Sequence, residues 1–372
     1  MKKIFLIILA LTGLFLCGCS KNEQSNATQG VGDQNNSNLI WEAEPPADMP
    51  DKAKIYTSKY WEWDEDRLVN LLIGDEDATT EITAMGVSYY LETEEDGKAL
   101  LLWDGGERWG DPSPLNGGFR YVVNKRTRNN QNEECFDYGK VLYLEPVSSA
   151  LEDRNEDYPD AKETELSFQS YEEAKAEVEE VIQEVGLLYM EEMQTYSITS
   201  EIAKQHMELR GEQDLAAWSE ENEAYMFMYH QVIDGIPIVE YHWGEPPVQL
   251  GDAPNSYLIM IKDAEGIVDI ECKNLHCLTN EGEEHDLIPY EQAEEVIREK
   301  YKYIVSQKIT VKDAKLRYMA IQTENGYDLI PAWFFTIWRE FPTEREGVTI
   351  TNLEEEYAAV NAVTGKLMGN KG

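Results

Sequence analysis

The fold is decided by the run Ser170-Tyr171-Glu172-Glu173-Ala174, which opens a predicted helix and returns later as Pro289-Tyr290-Glu291-Gln292-Ala293. Ser170 and Glu173 have the spacing of a capping box, in which each side chain bonds the other residue's backbone amide. After both runs, apolar residues recur every three or four positions, which predicts one buried face per helix. The two stripes are Ala174, Val178, Val181, Ile182 and Val185, and Ala293, Val296, Ile297, Tyr301 and Ile304.

Each predicted helix is followed by turn signals that indicate antiparallel strands. Asp234-Gly235 and Asn325-Gly326 are dipeptides that favour tight hairpins. Each copy closes on a further turn, at residues 263–268 and 361–367. We therefore expect an α+β fold in which antiparallel sheets each pack against a helix, with one unit at residues 166–285 and a second at residues 286–372.

The sequence before these units predicts a small α+β domain at residues 47–165. Ala53–Tyr56 has strand character, and Asp64–Leu72 is typical of a short helix opened by acidic residues. Val87–Leu91 and Ala99–Trp103 are rich in β-forming residues and flank a turn signal, which indicates a hairpin.

The first 46 residues have the pattern of a leader and a tether. Two lysines precede an apolar run from Ile4 to Leu16, and this run is too short for a permanent membrane span. Leu16-Cys17-Gly18-Cys19 resembles the bacterial lipobox, so we expect cleavage after residue 18 and acylation of Cys19. An ordinary secretory signal cleaved near Gly18 is the alternative. The polar residues of 19–46 then form a flexible tether that spans about 25 to 30 Å.

Composition disfavours two classes of partner, and the predicted leader favours an extracytoplasmic address. Removal of residues 1–18, which contain two lysines and no acidic residue, would leave 30 basic residues against 72 acidic ones. Nucleic acid and anionic lipid surfaces are therefore poor partners. We expect the chain to lie at the outer face of the cell membrane, attached through its lipid.

The repeated unit resembles a known family of modules. Leu329–Trp333 is similar to the central strand of the PepSY-like modules of extracytoplasmic bacterial proteins, and Tyr357–Leu367 is similar to their final hairpin. Val232–Ile238 resembles the Gly-Ile-Pro strand of the YycH and YycI regulators, which are membrane-tethered proteins of Gram-positive bacteria that restrain a cell-wall sensor kinase. The resemblance implies tandem PepSY-like units in an uncharacterised family of Gram-positive lipoproteins. Here a lipobox replaces the transmembrane helix of those regulators.

Three cysteines remain if Cys19 is acylated, so an internal pairing of all three is impossible. Cys272 and Cys277 flank a short segment and could close a small disulfide loop, while Cys135 has no partner nearby in sequence. His276 and His285 provide too few ligands for zinc at a recognised spacing. No metal and no cofactor are expected.

No catalytic residue can be assigned from the sequence. A Gly-x-Ser-x-Gly nucleophile elbow, a Ser-x-x-Lys pair and a His-Glu-x-x-His zinc helix are all missing. Glu240 and His242 would share one face of a strand, with His230 across the hairpin, which suggests either a ligand pair or a polar strand face. Whether the chain is an enzyme stays open, and the pattern favours a protein that is not.

Two groups of aromatic residues are candidate binding surfaces. Trp103 and Trp109 flank a glycine-rich acidic loop, which would be a sugar-stacking platform or a hairpin packed by a tryptophan. Trp333, Phe335 and Trp338 lie in a nearly continuous apolar strand, which is typical of a core strand and also of a sheet offered to a partner.

These observations together predict a lipid-anchored extracytoplasmic module that binds an envelope protein or peptide and regulates an envelope process without catalysis. An envelope hydrolase or a glycan-binding lipoprotein is one alternative. A structural spacer is the other.

Overall fold

The computed structural model describes residues 38–47, 49–74, 79–83, 87–91, 98–107, 114–123, 159–209, 219–239, 256–304, 307–345 and 348–369. The predicted leader, Cys19 and the tether up to residue 37 lie outside these ranges. Trp109, Cys135, Glu240 and His242 also lie outside them. Within the described ranges, no helix has the length and apolar character that a membrane crossing requires.

Strands dominate the described part of the chain, with a few helices between them. The elements in chain order are β1 (Leu39–Trp41), β2 (Lys52–Tyr60), α1 (Glu65–Leu68) with a following π-helical turn (Val69–Ile73), β3 (Thr79–Thr83), β4 (Val87–Leu91), β5 (Lys98–Glu107), β6 (Pro114–Val123), α2 (Tyr171–Val185), β7 (Met190–Ile198), α3 (Ser200–Leu209), a 3-10 turn (Glu220–Asn222), β8 (Ala224–Ile233), β9 (Ile236–Pro237), β10 (Tyr257–Asp263), β11 (Gly266–Lys273), β12 (His276–Leu278), β13 (Glu283–Asp286), α4 (Tyr290–Tyr301), β14 (Lys308–Thr323), β15 (Gly326–Arg345) and β16 (Val348–Asn361).

A nine-stranded antiparallel sheet forms among the described residues in the order β3-β4-β5-β6-β11-β10-β8-β7, with β9 beside β8. Helix α2 packs on this sheet through the predicted stripe: Ala174, Val178, Ile182 and Val185 are buried, and Val181 packs against them. The capping box of Ser170 and Glu173 is present, and Gly186 ends the helix in a left-handed conformation at φ 87°. This helix was predicted correctly.

The remaining described strands form a seven-stranded sheet in the order β1-β14-β15-β2-β12, with β13 beside β2 and β16 beside β15. Its pairs are antiparallel except β1 with β14. Helix α4 buries Tyr290, Ala293, Ile297 and Tyr301 against it. The expected α+β class, with mainly antiparallel sheets and few helices, is therefore confirmed.

The strand pairing crosses the predicted boundary at residue 165. Strand β6 pairs with β11, with Tyr121 opposite Ile270, and β2 pairs with β15, with Tyr56 opposite Leu329. The described strands within residues 47–165 thus belong to both sheets. The sequence pattern could not reveal this, because hydrophobic periodicity identifies a strand and not its distant partner.

Candidate functional site

Strand β2 and the end of β8 bring the two sheets together at a junction with a buried polar interior. Ser58 and Tyr60 of β2 are buried and alternate with the exposed Thr57 and Lys59. Gln231 of β8 is fully buried and faces the backbone of His276 in β12. Because β8 belongs to the nine-stranded sheet and β12 to the seven-stranded sheet, this contact joins the two.

The hydrogen bonds of this interior are well formed. Gln231 Nε2 donates to the carbonyl of His276 at 2.9 Å, and the amide of His276 donates to Gln231 Oε1 at 2.7 Å. His276 Nδ1 lies 3.1 Å from Ser58 Oγ. The Tyr327 hydroxyl donates to the Tyr60 hydroxyl at 2.9 Å, and both rings contact the imidazole. Such paired bonds fix the register between the sheets.

The electrostatics of His276 favour a structural role. Complete burial, without a charged partner, lowers its pKa to about 3, so the imidazole is neutral at physiological pH. No described residue forms a hydrogen bond with its Nε2 atom. A serine beside a histidine is the arrangement of a hydrolase nucleophile and base. Here Ser58 is only 1% exposed and His276 is not exposed at all, so this pair is closed to a substrate.

The outer side of the junction carries a surface that we call the junction patch, formed by Lys54, Tyr56, Leu188, Tyr189 and Asp234. The Tyr56 hydroxyl donates to the Asp234 carboxylate, and Lys54 Nζ lies 3.8 Å from the same carboxylate. Burial, the bond to Asp234 and nearby Tyr189 raise the pKa of Tyr56. Leu188 is 52% exposed and Tyr189 is 45% exposed. The patch thus combines two exposed apolar side chains with an ion pair.

The backbone of the junction patch is left-handed at two positions. Tyr189 has φ 64°, which is strained for a bulky residue, and Asp234 has φ 50°, which is usual for aspartate before glycine in a hairpin turn. The amide of Val232 donates to the carbonyl of Tyr189 at 2.7 Å and holds the first of them. Strain of this kind costs about 1 to 3 kcal/mol per residue and concentrates at functional sites. The patch is therefore the best candidate for a binding surface.

A second charged cluster, around Glu192 on β7, is satisfied internally. Lys175 Nζ lies 2.6 Å from its carboxylate, and the hydroxyls of Tyr171 and Thr195 donate to it at 2.7 Å. Burial raises the pKa of Glu192, but these donors outweigh burial and leave the pKa lowered. The carboxylate has no oxygen left for a substrate proton, so the cluster stabilises the contact of α2 with the sheet.

The described residues offer no group of three or more His, Cys, Asp or Glu side chains arranged to hold a metal ion. His230 is buried in β8. The other two residues of the predicted ligand cluster, Glu240 and His242, lie outside the described ranges, so that hypothesis stays a prediction.

The disulfide that the spacing of Cys272 and Cys277 allows is not formed. Both are free thiols: Cys272 is fully buried in β11, while Cys277 is exposed on β12. The two strands belong to different sheets, and Asn274 at φ 52° turns the chain between them. Burial raises the pKa of the Cys272 thiol, which keeps it protonated and unreactive.

The aromatic strand proves to be core and not a binding surface at two of its three positions. Trp333 is 3% exposed and donates from Nε1 to the carbonyl of Ile288 at 3.1 Å, and Phe335 is fully buried. Trp338 is half-buried, and its Nε1 donates to Glu355 Oε2 at 3.0 Å. Of the other group, Trp103 lies in β5, but its side chain is outside the described part of the chain. All of Trp109 is outside it as well.

The junction patch was missed in the sequence because its members come from three separate segments. The run Asp234-Gly235 gives a visible signal, since it predicts a hairpin turn with left-handed residues. Leu188-Tyr189 gives a weaker one, since two apolar residues follow the helix-ending Gly186. No local pattern indicates that both segments lie beside Tyr56.

Comparison with known proteins gives the fold alone. No protein-family model matches the chain, and no curated protein matches it. A crystal structure of an uncharacterized protein from Eubacterium rectale ATCC 33656 is similar, with a TM-score of 0.59 over 91% of this chain and 92% of that one. The two sequences are 16% identical.

Proposed function

We propose that this protein is a lipid-anchored, non-catalytic module at the outer face of the cell membrane that binds another envelope protein or peptide through the junction patch. The observation that carries the proposal is Tyr189, which is 45% exposed, has a left-handed backbone and lies near Tyr56, next in the chain to the exposed Leu188. Tyrosine is among the residues enriched in protein-binding hot spots.

The lipid anchor and the PepSY-like resemblance support the same function. Acylation at Cys19 would hold the domain near membrane proteins and raise the effective concentration to roughly millimolar, so a weak contact suffices. Each C-terminal unit consists of a helix followed by an antiparallel meander, which agrees with the tandem PepSY-like arrangement that the sequence resembles. A regulatory role through surface contact follows from the proposed anchor, because no membrane helix would transmit a signal.

Site-specific photo-crosslinking tests the proposal. A benzophenone amino acid placed at Tyr189 in cells of the native bacterium should yield a discrete crosslinked protein or peptide. Tyr303 is the matched control, because it is a tyrosine that is 78% exposed and lies outside the junction patch. Equal crosslinking at Tyr189 and Tyr303, or none at Tyr189, would contradict a partner at this surface.

A further inference from the structure

We propose that the outer edge of β16, at Thr351, Leu353 and Glu355, takes an extended basic segment of another protein as an additional strand. This surface shares no residue with the junction patch. It is defined by backbone geometry, by one exposed apolar side chain and by charge.

The backbone direction of β16 follows from the hydrogen bonds at its C-terminal end. The amide of Ala362 donates to the carbonyl of Pro331. The backbone amides and carbonyls of even-numbered residues in this strand therefore point towards β15. The amide of Asn361 donates outward to the carbonyl of Lys366, and the carbonyl of Ala359 accepts outward from Met368. Because the pairing with β15 has no register shift, the amides and carbonyls of Thr351, Leu353 and Glu355 also point outward.

Among the described residues, the chain covers only the end of this edge. Residues 366–368 lie beside residues 359–361, and Gly369 at φ 88° turns away from an extended path. No described strand other than β15 pairs with the segment Thr351–Glu355. A row of outward amides and carbonyls is therefore available for strand addition, in which backbone bonds give affinity and side chains give specificity.

The side chains of the edge indicate the chemistry of the occupant. Leu353 is 50% exposed on this edge and offers an apolar contact to an added strand. Residues 351–358 include Glu354, Glu355 and Glu356 and no lysine or arginine. Lys300 and Arg339 already pair with Glu356, so the excess charge resides on Glu354 and Glu355.

Glu355 adds negative charge to the edge. Its Oε2 atom accepts from Trp338 of β15, and no described residue donates to its buried Oε1 atom. A lysine or arginine on an added strand would be attracted to this carboxylate. A second copy of this chain fits the edge poorly, because two β16 edges would bring glutamates opposite each other, and like charges across strands are destabilising.

A short peptide provides the probe. We would use a capped heptapeptide that alternates lysine with valine and add it to the full chain in detergent. Hydrogen exchange should show new protection at the amides of Leu353 and Glu355. The same peptide with alternate amides N-methylated should lose this protection, since it keeps the charge but cannot continue the ladder.

Two variants test the backbone and the charge separately. Leu353→Pro removes an outward amide without breaking a bond to β15, and it should weaken binding about tenfold. Glu355→Lys should weaken binding about tenfold through charge reversal, whereas Glu295→Lys, the same change on an exposed position of α4, should have little effect. Thermal unfolding of each variant shows whether it is folded. If Leu353→Pro does not fold, Glu355→Lys still tests binding at this edge.

Three results would overturn the proposal. Equal binding of the N-methylated peptide would show that net charge alone attracts the probe. Protection elsewhere, or no binding of the lysine–valine peptide, would show that the edge does not accept a strand. Dimerisation of the free chain that Leu353→Pro abolishes would make a second copy the occupant. None of these results bears on crosslinking at Tyr189, so the two surfaces are tested independently.

Discussion

His276 Nδ1 lies 3.1 Å from Ser58 Oγ across two strands that are more than 200 residues apart in the chain. This contact places an uncharged imidazole inside the junction of the two sheets. The junction is therefore sensitive to anything that protonates the ring, and acid is the simplest such agent.

We expect His276 to make the fold less stable as the pH falls. The pKa is about 3 in the folded chain and near 6.5 when unfolded, so only the unfolded state takes up the proton between these values. Stability contributed by the neutral ring is complete above about pH 6.5 and declines towards pH 3. Between pH 7.5 and 4.5, wild type should lose about 2 kcal/mol more than His276→Gln in urea unfolding.

The control for this prediction is His285→Gln, which changes a half-exposed histidine of β13. It should retain the pH dependence of wild type. Because many carboxylates also titrate in this range, only the difference between variants counts. If the unfolding free energy of His276→Gln falls with pH as steeply as that of wild type, the buried ring does not govern acid sensitivity.

Two glycines test the contact between β2 and β15. A Cβ atom on Gly326 would meet the carbonyl oxygen of Ser58, whereas one on Gly266 would meet nothing within 4 Å. Their φ angles are similar, at 136° and 133°. Both alanine variants should lose stability through backbone strain, and Gly326→Ala should lose at least about 2 kcal/mol more in chemical denaturation. Equal losses would refute a close approach of β2 here.

The aromatic strand should respond to mutation as core. Phe335→Ala and Trp333→Ala should each destabilise the fold by about 3 to 5 kcal/mol, because both side chains are buried. Trp338→Ala should cost clearly less, since that ring is half-buried. Calorimetry measures all three. If Trp333→Ala folds with wild-type stability, Trp333 is not a core residue and this strand is again a candidate binding surface.

The two described cysteines should differ in reactivity. The stability of the fold should not depend on oxidation of these cysteines. Iodoacetamide under native conditions should alkylate Cys277 and leave Cys272 unmodified until the protein is denatured, as peptide mass spectrometry can show. The melting temperature should be the same with and without dithiothreitol. A Cys272–Cys277 crosslink in the non-reduced digest would contradict the free thiols.

Acylation is tested at the two cysteines of the leader. Cys19→Ser should abolish incorporation of labelled palmitate and release the protein from the membrane fraction. Cys17→Ser should leave both unchanged, because the lipobox spacing falls on Cys19. Incorporation that depends on Cys17 instead would move the cleavage site and the start of the tether.

The sequence indicated the local elements better than their assembly. Helix α2 was visible because a capping box and an apolar stripe lie within sixteen residues, and the β14–β15 hairpin was visible because Asn325-Gly326 joins two strands. The partner of β2 was not visible, because its contacts to Leu329 arise from tertiary packing. The sequence left the pairing of Cys272 and Cys277 open for the same reason: their spacing allows a loop, but their strands enter different sheets.

The pairing of Tyr56 with Leu329 constrains the order in which the molecule can mature. If the chain crosses the membrane with its N-terminus first, β2 emerges about 270 residues before its partner strand. At roughly 5 to 20 residues per second of synthesis, this leaves β2 waiting for tens of seconds. During that interval, the unpaired β2 would be a substrate for an extracytoplasmic chaperone. A truncation that removes β15 would leave β2 unpaired and exposed to proteases.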